Sequence, residues 1–288
     1  MTMQITPLES AETSRYVSID GRRVHYNALE HAGSANTPVI FTHGGGPGAT
    51  SWNNFLYNAR EFSGRYNCYF YDLPGFGASE SVPISGPVHS WYAEQFLKFM
   101  DALKIDRAHL VNQSYGGAMA IKVAASAPAR VDHLVITGSR PIIGGLTAPA
   151  SALRGKQALQ RYYAAEEGPT MDQMRSLLAD LEFYDPDKIT DLNVKLRFEM
   201  SITPNVREFI SQPTKRGQPE SLFEDFRKVT ARTLIVHGLH DAFGGVDLPL
   251  TMVNQFADAR LHLVGHAGHH VQTECPAEYN AVVLGFLP

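Results

Sequence analysis

The chain has 288 residues, of which 44% are hydrophobic and 19% are charged, and its formal net charge is −4. This length suits one α/β domain that carries an insertion, and the apolar fraction excludes general disorder. Because no basic stripe is present, nucleic acid is not an expected partner. We also expect no membrane span and no secretory signal, and therefore a cytoplasmic protein.

A β-hairpin is the first predicted element, since residues 15–19 and 22–29 alternate in polarity around the turn dipeptide Asp20-Gly21. Strands and helices then alternate along the chain. The predicted strands are 39–42, 67–71, 108–112 and 131–137, and the predicted helices are 52–62, 91–103 and 115–127. This alternation predicts a mostly parallel central sheet that is flanked by helices on both faces.

The pattern changes between residues 140 and 228, where helical stretches dominate and no convincing strand occurs. The helical stretches are 152–167, 171–181 and 192–201, and the alternation resumes with strands 233–237 and 260–264, a helix near 248–256 and a last helix from Pro276. We interpret residues 1–139 and 229–288 as a core domain, and 140–228 as a helical cap inserted after the sixth strand. Residues 142–150 are the expected hinge.

Ser114 is the predicted nucleophile, because it lies between an apolar strand and a helix rich in small residues. A sharp strand-to-helix turn exposes a serine hydroxyl, and the helix N-terminus stabilises nearby negative charge. Gly116 and Gly117 provide the space that such a turn requires. Asn112 stands where glycine is usual, and we expect it to tolerate a left-handed backbone. An ordinary serine helix cap is the alternative for this motif alone.

The segment His43-Gly44-Gly45-Gly46-Pro47-Gly48 follows the third strand, and its glycines let backbone N–H groups point into a site. We expect the N–H groups of Tyr115 and Gly45, with Gly46 as the alternative to Gly45, to form an oxyanion hole. A phosphate loop is disfavoured, because both the Gly-Lys-Ser/Thr ending and the dinucleotide glycine spacing are absent. We predict neither a metal ion nor an organic cofactor.

Asp241 is the predicted acid of a catalytic triad, since it follows strand 233–237 and comes after Ser114 in the required order. Two other aspartates compete for this role. Asp247 lies farther beyond the strand, and Asp258 comes just before the next one.

His269 is the predicted base, because it follows strand 260–264 and is preceded by glycine and followed by Glu274. We interpret the neighbouring His266 and His270 as packing or pocket residues. The histidines at two other strand ends are expected to hold loops in place: His43 and His237.

These residues together resemble the α/β-hydrolase superfamily along nearly the whole chain. The glycine-rich segment, Trp52 and Asn54 are also similar to the hydrolases of aromatic meta-cleavage products, which cut a carbon–carbon bond in 2-hydroxy-6-oxo-hexa-2,4-dienoates. Phe183-Tyr184-Asp185 and Arg197-Phe198-Glu199 resemble that family's cap segment. The resemblance implies that Arg197 binds the substrate carboxylate, that Asn54 contributes to the substrate site, and that the protein is a homo-oligomer.

Three departures from the family pattern concern the pocket wall. Asn112-Gln113 replaces glycine-asparagine before the serine, His270 replaces tryptophan, and Glu182 stands at a usually apolar position. We expect Gln113, His270 and Glu182 to make the pocket more polar. The predicted substrate is therefore a small carboxylate with a small or polar 6-substituent.

Other functions are compatible with parts of this pattern. A carboxylesterase or lactonase would share every motif except the need for Arg197. A proline-type aminopeptidase has a similar loop, but the additional glycine and the Trp52/Asn54 pattern disfavour it. A non-catalytic binding protein of the same fold is a further alternative, because fold alone does not determine function.

Overall fold

The computed structural model describes residues 12–32, 36–141, 157–164, 168–212 and 216–288. Its strands are β1 (Ser14–Ile19), β2 (Arg22–Leu29), β3 (Val39–Thr42), β4 (Cys68–Tyr71), β5 (Ile84–Pro87), β6 (Ala108–Gln113), β7 (Val131–Thr137), β8 (Arg216–Gln218), β9 (Arg232–Gly238) and β10 (Ala259–Val264). Eight of them form one sheet in the order β1-β2-β4-β3-β6-β7-β9-β10, and β5 pairs with β8 in a second, small sheet.

The helices lie between these strands. They are α1 (Ser51–Asn54), α2 (Ala59–Ser63), α3 (Val88–Ala102), α4 (Tyr115–Ser126), α5 (Met171–Leu181), α6 (Asp191–Ser201), α7 (Pro204–Ser211), α8 (Asp247–Val253), α9 (Val271–Glu274) and α10 (Pro276–Phe286). Residues 157–163 are also helical. None of the helices in the described ranges combines the length and the apolar character that crossing a bilayer requires.

The large sheet is covered on both faces, as its sequence pattern predicts. β1, β2 and β4 pair in an antiparallel manner, whereas all pairings from β4 to β10 are parallel. Every residue of β3 is buried, and its successive residues Ile40 and Phe41 belong to two different hydrophobic clusters. Met119 of α4 packs in the first cluster and Val283 of α10 in the second. The predicted α/β architecture is confirmed.

The carboxyl ends of the parallel strands carry the motifs that the sequence singles out. The glycine-rich segment follows β3, Ser114 follows β6, Asp241 follows β9 and His269 follows β10. Strands β3, β6, β7, β9 and β10 are consecutive neighbours in the sheet. Since ligands of open α/β sheets bind at the carboxyl ends of the strands, the fold brings these motifs to one edge.

The segment between β7 and β9 is mainly helical. α5, α6 and the helical residues 157–163 share a hydrophobic cluster that includes Leu178, Val194 and Tyr162. The division into a core and a 140–228 cap stays a prediction. The expected hinge, 142–150, and much of the predicted helix 152–167 lie outside the described residues.

Three sequence predictions of local structure were wrong. β8 is a strand between residues 140 and 228, where none is predicted, but with three residues it is too short to show a strand periodicity. Helix 52–62 is divided into α1 and α2, because α1 ends at its C-cap, Phe55. The third error concerns Asn112, which lies inside β6 and is not among the residues with positive φ.

Candidate active site

Ser114 occupies the strained turn that its sequence motif predicts. It precedes α4 with φ 50° and ψ −112°, a region that non-glycine residues rarely adopt. The strain is therefore carried by Ser114 itself rather than by Asn112. A Cβ atom on Gly116 would lie 2.7 Å from the carbonyl oxygen of His43, and one on Gly117 would lie 1.9 Å from Oγ of Ser139. The backbone of His43 leaves room only for glycine at position 116, whereas a side chain at position 117 would require the Ser139 hydroxyl to move.

Asp241 and His269 form a buried pair. Nδ1 of His269 lies 2.8 Å from Oδ2 of Asp241, while the backbone N–H of Phe243 donates to Oδ1 at 2.7 Å. Burial raises the pKa of Asp241, but the charge and the hydrogen bond of His269 lower it by a larger amount. The pKa of Asp241 therefore lies below its usual value. An ionised carboxylate only accepts, which fixes the proton of neutral His269 on Nδ1 and leaves Nε2 as a base.

The competing acids and bases occupy other positions. Asp247 begins α8, and Asp258 pairs with Arg232 at the surface. His266 is exposed, and its ring lies near that of Tyr184. His269, by contrast, is 4% exposed and lines a cavity of about 200 Å³ together with Ser114.

The glycine-rich loop lies against the start of α4. A Cβ atom on Gly45 would be 3.5 Å from Cβ of Tyr115, and Gly44, Gly45 and Gly46 all line the cavity. His43 holds this loop, because its Nδ1 lies 2.7 Å from the carbonyl oxygen of Gly44 and its Nε2 accepts a backbone N–H at 3.0 Å. This arrangement is compatible with the predicted oxyanion hole.

Asn54 supports the loop from outside the cavity. Its Oδ1 accepts the backbone N–H of Gly44 at 3.1 Å, and its Nδ2 donates to Asn53. It is not among the described residues that line the cavity. The hydrogen bond to Gly44 gives Asn54 a supporting position behind the loop, and its contribution to the substrate site stays a prediction.

Arg197 points inward, as the family resemblance implies, but its guanidinium is already occupied. NH1 and NH2 donate to the two carboxylate oxygens of Glu182 at 2.7 and 2.8 Å, and Nε donates to the carbonyl oxygen of Pro47 at 2.8 Å. Burial raises the pKa of Glu182, but Arg197 and His270 outweigh burial and bring it to about 2. Glu182, which lines the cavity, is thus neutralised by Arg197, which is not among the described lining residues.

The remaining pocket residues are polar and buried. Nε2 of His270 lies 3.2 Å from Oε2 of Glu182, yet burial lowers the pKa of His270 to about 3, so its ring is neutral near pH 7. Gln113 is fully buried, and its Oε1 has no hydrogen-bond partner among the described residues. Gln113, Glu182 and His270 all line the cavity, which is compatible with the predicted polar wall.

A sequence-family profile described as "Alpha/beta hydrolase family" matches residues 39–282, which include every motif described above. The chain belongs to the α/β-hydrolase family. The predicted fold class and the broader resemblance are confirmed.

Two curated relatives extend this result to nearly full length. A 2-hydroxy-6-oxononadienedioate/2-hydroxy-6-oxononatrienedioate hydrolase of Burkholderia vietnamiensis is 33% identical over 302 residues, with 100% of this chain and 99% of the relative covered. A relative from Escherichia coli with the same name is 30% identical over 296 residues, with 99% of each chain covered.

Solved structures agree with these relatives. A meta-cleavage product hydrolase from Pseudomonas fluorescens is 29% identical with a TM-score of 0.81, over 96% of this chain and 98% of the other. A 2-hydroxy-6-oxo-6-phenylhexa-2,4-dienoate hydrolase from Rhodococcus is 25% identical with a TM-score of 0.78, over 94% and 97%. This α/β hydrolase is therefore an enzyme similar to the hydrolases of meta-cleavage products.

Sequence reasoning missed several residues of the site. Phe243 lines the cavity with its ring centroid 4.4 Å from that of His269, and its position two residues after Asp241 is the available signal. A second cavity also borders Ser114 and contains His89 and Arg140. His89 lies far from any motif in the sequence, whereas Arg140 follows the carboxyl end of β7, and that position is the available signal.

Proposed function

We propose that this α/β hydrolase cleaves a carbon–carbon bond in a 2-hydroxy-6-oxo-hexa-2,4-dienoate, with Ser114, Asp241 and His269 as its catalytic triad. The observation that carries the proposal is the strained Ser114 at the edge of a cavity that also contains the Asp241–His269 pair. The nearly full-length similarity to enzymes named for such substrates supports the choice of bond.

The triad acts through acid–base and nucleophilic chemistry. His269, oriented by Asp241, accepts the proton of the Ser114 hydroxyl or of a water molecule, which then attacks the carbonyl carbon C6. The backbone N–H groups of Gly45 and Tyr115 stabilise the oxygen anion that forms there. Water completes the reaction by supplying the hydroxyl group of the carboxylic acid product.

Breaking the C5–C6 bond requires a place for its electron pair. When the dienol first ketonises at C2, the electrons released at C5 are delocalised into that carbonyl as a vinylogous enolate. His269 returns a proton, and the products are a 2-hydroxypentadienoate and a carboxylic acid. A metal ion is not needed for this sequence, because the conjugated system of the substrate stabilises the negative charge.

The polarity of the pocket bears on the 6-substituent. Glu182, His270 and Gln113 present carboxylate, imidazole and amide groups to the cavity. The two curated relatives are named for dienedioates, which carry an acid group at both ends. We therefore propose a short, polar 6-substituent, with an aliphatic acid as the best candidate.

One panel of substrates tests the function. We expect the protein to bleach the visible absorbance of at least one 6-substituted dienoate and to release a 2-hydroxypentadienoate, identified by mass. Ser114→Ala and His269→Ala should each keep the fold, as measured by circular dichroism, and lower kcat by about 10³-fold or more. His266→Ala is the matched control and should retain activity.

Other results would count against the proposal. Inertness towards all dienoates together with good hydrolysis of nitrophenyl esters would favour an esterase. A larger loss in His266→Ala than in His269→Ala would show that the base is assigned incorrectly. A strong preference for a 6-phenyl substrate would refute the polar-pocket inference while leaving the bond assignment in place.

A further inference from the structure

Three side chains that can bind a metal ion meet at the amino ends of β6 and β7, at the end of the sheet opposite to Ser114. They are His109, Asp132 and His133, and each offers one ligand atom. These atoms lie within 4.8 Å of one another, and within the described ranges no other group of three or more histidine, cysteine or acidic side chains does so. His109 precedes Ser114 by five residues of mostly extended chain, which places the group roughly 15 Å from the nucleophile.

An irregular pairing of β6 with β7 brings these side chains together. The register of the two parallel strands shifts between Ala108 and Leu110. His109 therefore faces two residues of β7, Asp132 and His133, whose side chains would point to opposite faces in a regular strand. Such a bulge redirects a side chain, and bulges are rare between parallel strands. The bulge allows a carboxylate and an imidazole that are neighbours in the chain to approach the same ring.

The separations between the ligand atoms fit a tetrahedral metal ion. Oδ2 of Asp132 lies 3.3 Å from Nδ1 of His109 and 3.1 Å from Nδ1 of His133. Zinc–nitrogen and zinc–oxygen bonds of about 2.0–2.1 Å at the tetrahedral angle place neighbouring ligand atoms about 3.3 Å apart. A Zn²⁺ ion therefore fits between these atoms with little movement of the side chains, and water would supply its fourth ligand.

Nδ1 of His109 distinguishes this group from an ordinary hydrogen-bonded cluster. Nδ1 of His133 can donate to Asp132, but Nδ1 of His109 makes no hydrogen bond with any residue that the structure describes. Its contact with Asp132 lacks the alignment of a hydrogen bond, and the side chain of His109 is only 1% exposed. A buried ring nitrogen without a partner destabilises the fold, whereas a metal ion would use its lone pair.

Neighbouring groups orient the ligands and determine which ion they suit. NH2 of Arg107 lies 2.6 Å from Oδ1 of Asp132, which leaves Oδ2 beside the imidazoles, and the ring of His133 packs edge-on against Phe286. Such supporting contacts are typical of metal sites. Because Arg107 cancels the charge of Asp132, the two imidazoles provide most of the attraction. This favours Zn²⁺ and similar ions over Mg²⁺ and Ca²⁺, which require oxygen ligands.

We propose that His109, Asp132 and His133 bind one divalent transition-metal ion, with Zn²⁺ as the best candidate. The ion ties β6 to the bulge of β7, and it takes no part in the reaction at Ser114. The side chains of Asp132 and His133 are 19% and 12% exposed, which gives the ion and its water ligand access from solvent. The site is independent of the reaction assigned to the triad.

Calorimetry and optical spectroscopy test for the ion. Protein is stripped with a chelator, freed of it, and titrated with Zn²⁺ or with Co²⁺, whose visible absorption reports four-coordinate ligation. We expect one ion per chain with a dissociation constant of about 1 μM or less. Excess Zn²⁺ should raise the melting temperature by about 5 °C relative to protein in chelator. Mg²⁺ and Ca²⁺ should produce neither effect.

Two variants remove one ligand each from partly exposed positions, where a change is compatible with folding. Asp132→Asn and His133→Gln should each weaken Zn²⁺ binding by at least about 100-fold, which is the upper end of the loss that follows removal of a mere supporting group. Both should also abolish the cobalt spectrum. His262→Gln is the matched control, because it removes a partly exposed histidine of β10 that is paired with Glu278. It should bind Zn²⁺ as the wild type does.

Absence of binding in the wild type, or wild-type affinity in both ligand variants, would overturn the proposal. An ion that still binds to Asp132→Asn and inhibits turnover would belong at His269, and would also overturn it. Stripping the metal should change kcat by less than about twofold, because roughly 15 Å separate the ion from Ser114. A loss of turnover that Zn²⁺ restores would contradict the separation of this site from the reaction. Zn²⁺ binding is measured without substrate, so inertness towards dienoates leaves its result unaffected.

Discussion

The buried ion pair between Glu182 and Arg197 determines how much positive charge the cavity that is lined by Ser114 and His269 can offer a substrate. Both side chains are at most 5% exposed, and the pair has the bidentate geometry that makes arginine–carboxylate contacts strong. A substrate carboxylate can use the Arg197 fork only by displacing Glu182. Removing one partner leaves an uncompensated buried charge, so single variants of this pair change stability and binding together.

Neutralising both partners separates these effects. The double variant Glu182→Gln/Arg197→Gln keeps the wall uncharged, so we expect its thermal stability to exceed that of Arg197→Gln alone. If Arg197 anchors the acid end of the dienoate, kcat/KM for dienoates should fall by about 10- to 1000-fold in the double variant, and hydrolysis of a neutral nitrophenyl ester should hardly change. Wild-type activity of the double variant on dienoates would exclude the carboxylate role.

Glu182→Gln alone tests the competition for the fork. Without the charge of Glu182, the guanidinium becomes more available, so the KM for dienoates should decrease while the melting temperature also decreases. The measurements are steady-state kinetics and thermal unfolding with and without substrate analogue. An increased KM would show that Glu182 assists binding instead of competing for Arg197.

At the residue level, the sequence predicts which side chains follow the strand ends, because that depends only on order along the chain. The sequence therefore suffices to predict that Ser114, Asp241 and His269 lie at strand ends. Contacts between distant segments are not. The occupation of Arg197 by Glu182 joins α6 to the end of α5, and Asn54 bonds the loop rather than lining the cavity. Spacing along the chain does not show which way the side chains of Arg197 and Asn54 point.

At the level of elements, one carboxylate links the segment between β7 and β9 to the loop that contains Gly268 and His269. Glu274, at the end of α9, accepts the backbone N–H groups of Tyr184 at 3.0 Å and Asp185 at 2.7 Å. It also accepts the N–H of Gly268 at 2.7 Å, directly before His269. A Cβ atom on Gly268 would lie 2.9 Å from the carbonyl oxygen of Glu182, so the two segments are in close contact.

Glu274→Gln should therefore affect both stability and catalysis. The amide has one acceptor oxygen and places an NH₂ group near backbone donors, which we expect to lower the free energy of unfolding by about 2–3 kcal/mol. Displacement of the His269 loop should lower kcat more than it raises KM. Chemical denaturation and steady-state kinetics measure the two effects. Glu278→Gln is the control, because Glu278 contacts His262 at the surface. A variant with unchanged stability would show that these hydrogen bonds contribute little.

Element boundaries follow from the sequence where local chemistry sets them. α5 and α6 each begin after a threonine whose side chain accepts the N–H of the third helical residue, Gln173 or Asn193, in a capping box. The pairing of β5 with β8 is a different case. It joins segments more than 100 residues apart, and Arg216–Gln218 is too short for local preference to indicate a strand.

At the scale of the whole molecule, buried neutral histidines couple folding to pH. Burial is the largest cause that lowers the pKa of His270 to about 3 and the pKa values of His89 and His109 to about 4. The ordinary histidine value is 6.5. As the pH falls below 6.5, the unfolded chain takes up protons that the folded chain does not, so folding is progressively disfavoured.

The pH range from about 6.5 to 4.5 isolates this effect. The pKa of Glu182 lies at about 2 against an ordinary 4.5, so its contribution to stability is present above 4.5 and is lost only below that value. Between pH 6 and 4.5 each of the three histidines should contribute a slope that approaches about 1.4 kcal/mol per pH unit. We expect the free energy of unfolding, measured with urea at pH 7, 6 and 5, to decrease steadily towards the acid side.

Two variants test the origin of this decrease. His109→Gln removes one buried imidazole far from Ser114 and should reduce the slope of the unfolding free energy against pH by about one proton. His31→Gln changes an exposed residue and should leave that slope unaltered. Stability that does not change between pH 7 and 5 would mean that these imidazoles become protonated in the folded chain as readily as in the unfolded one.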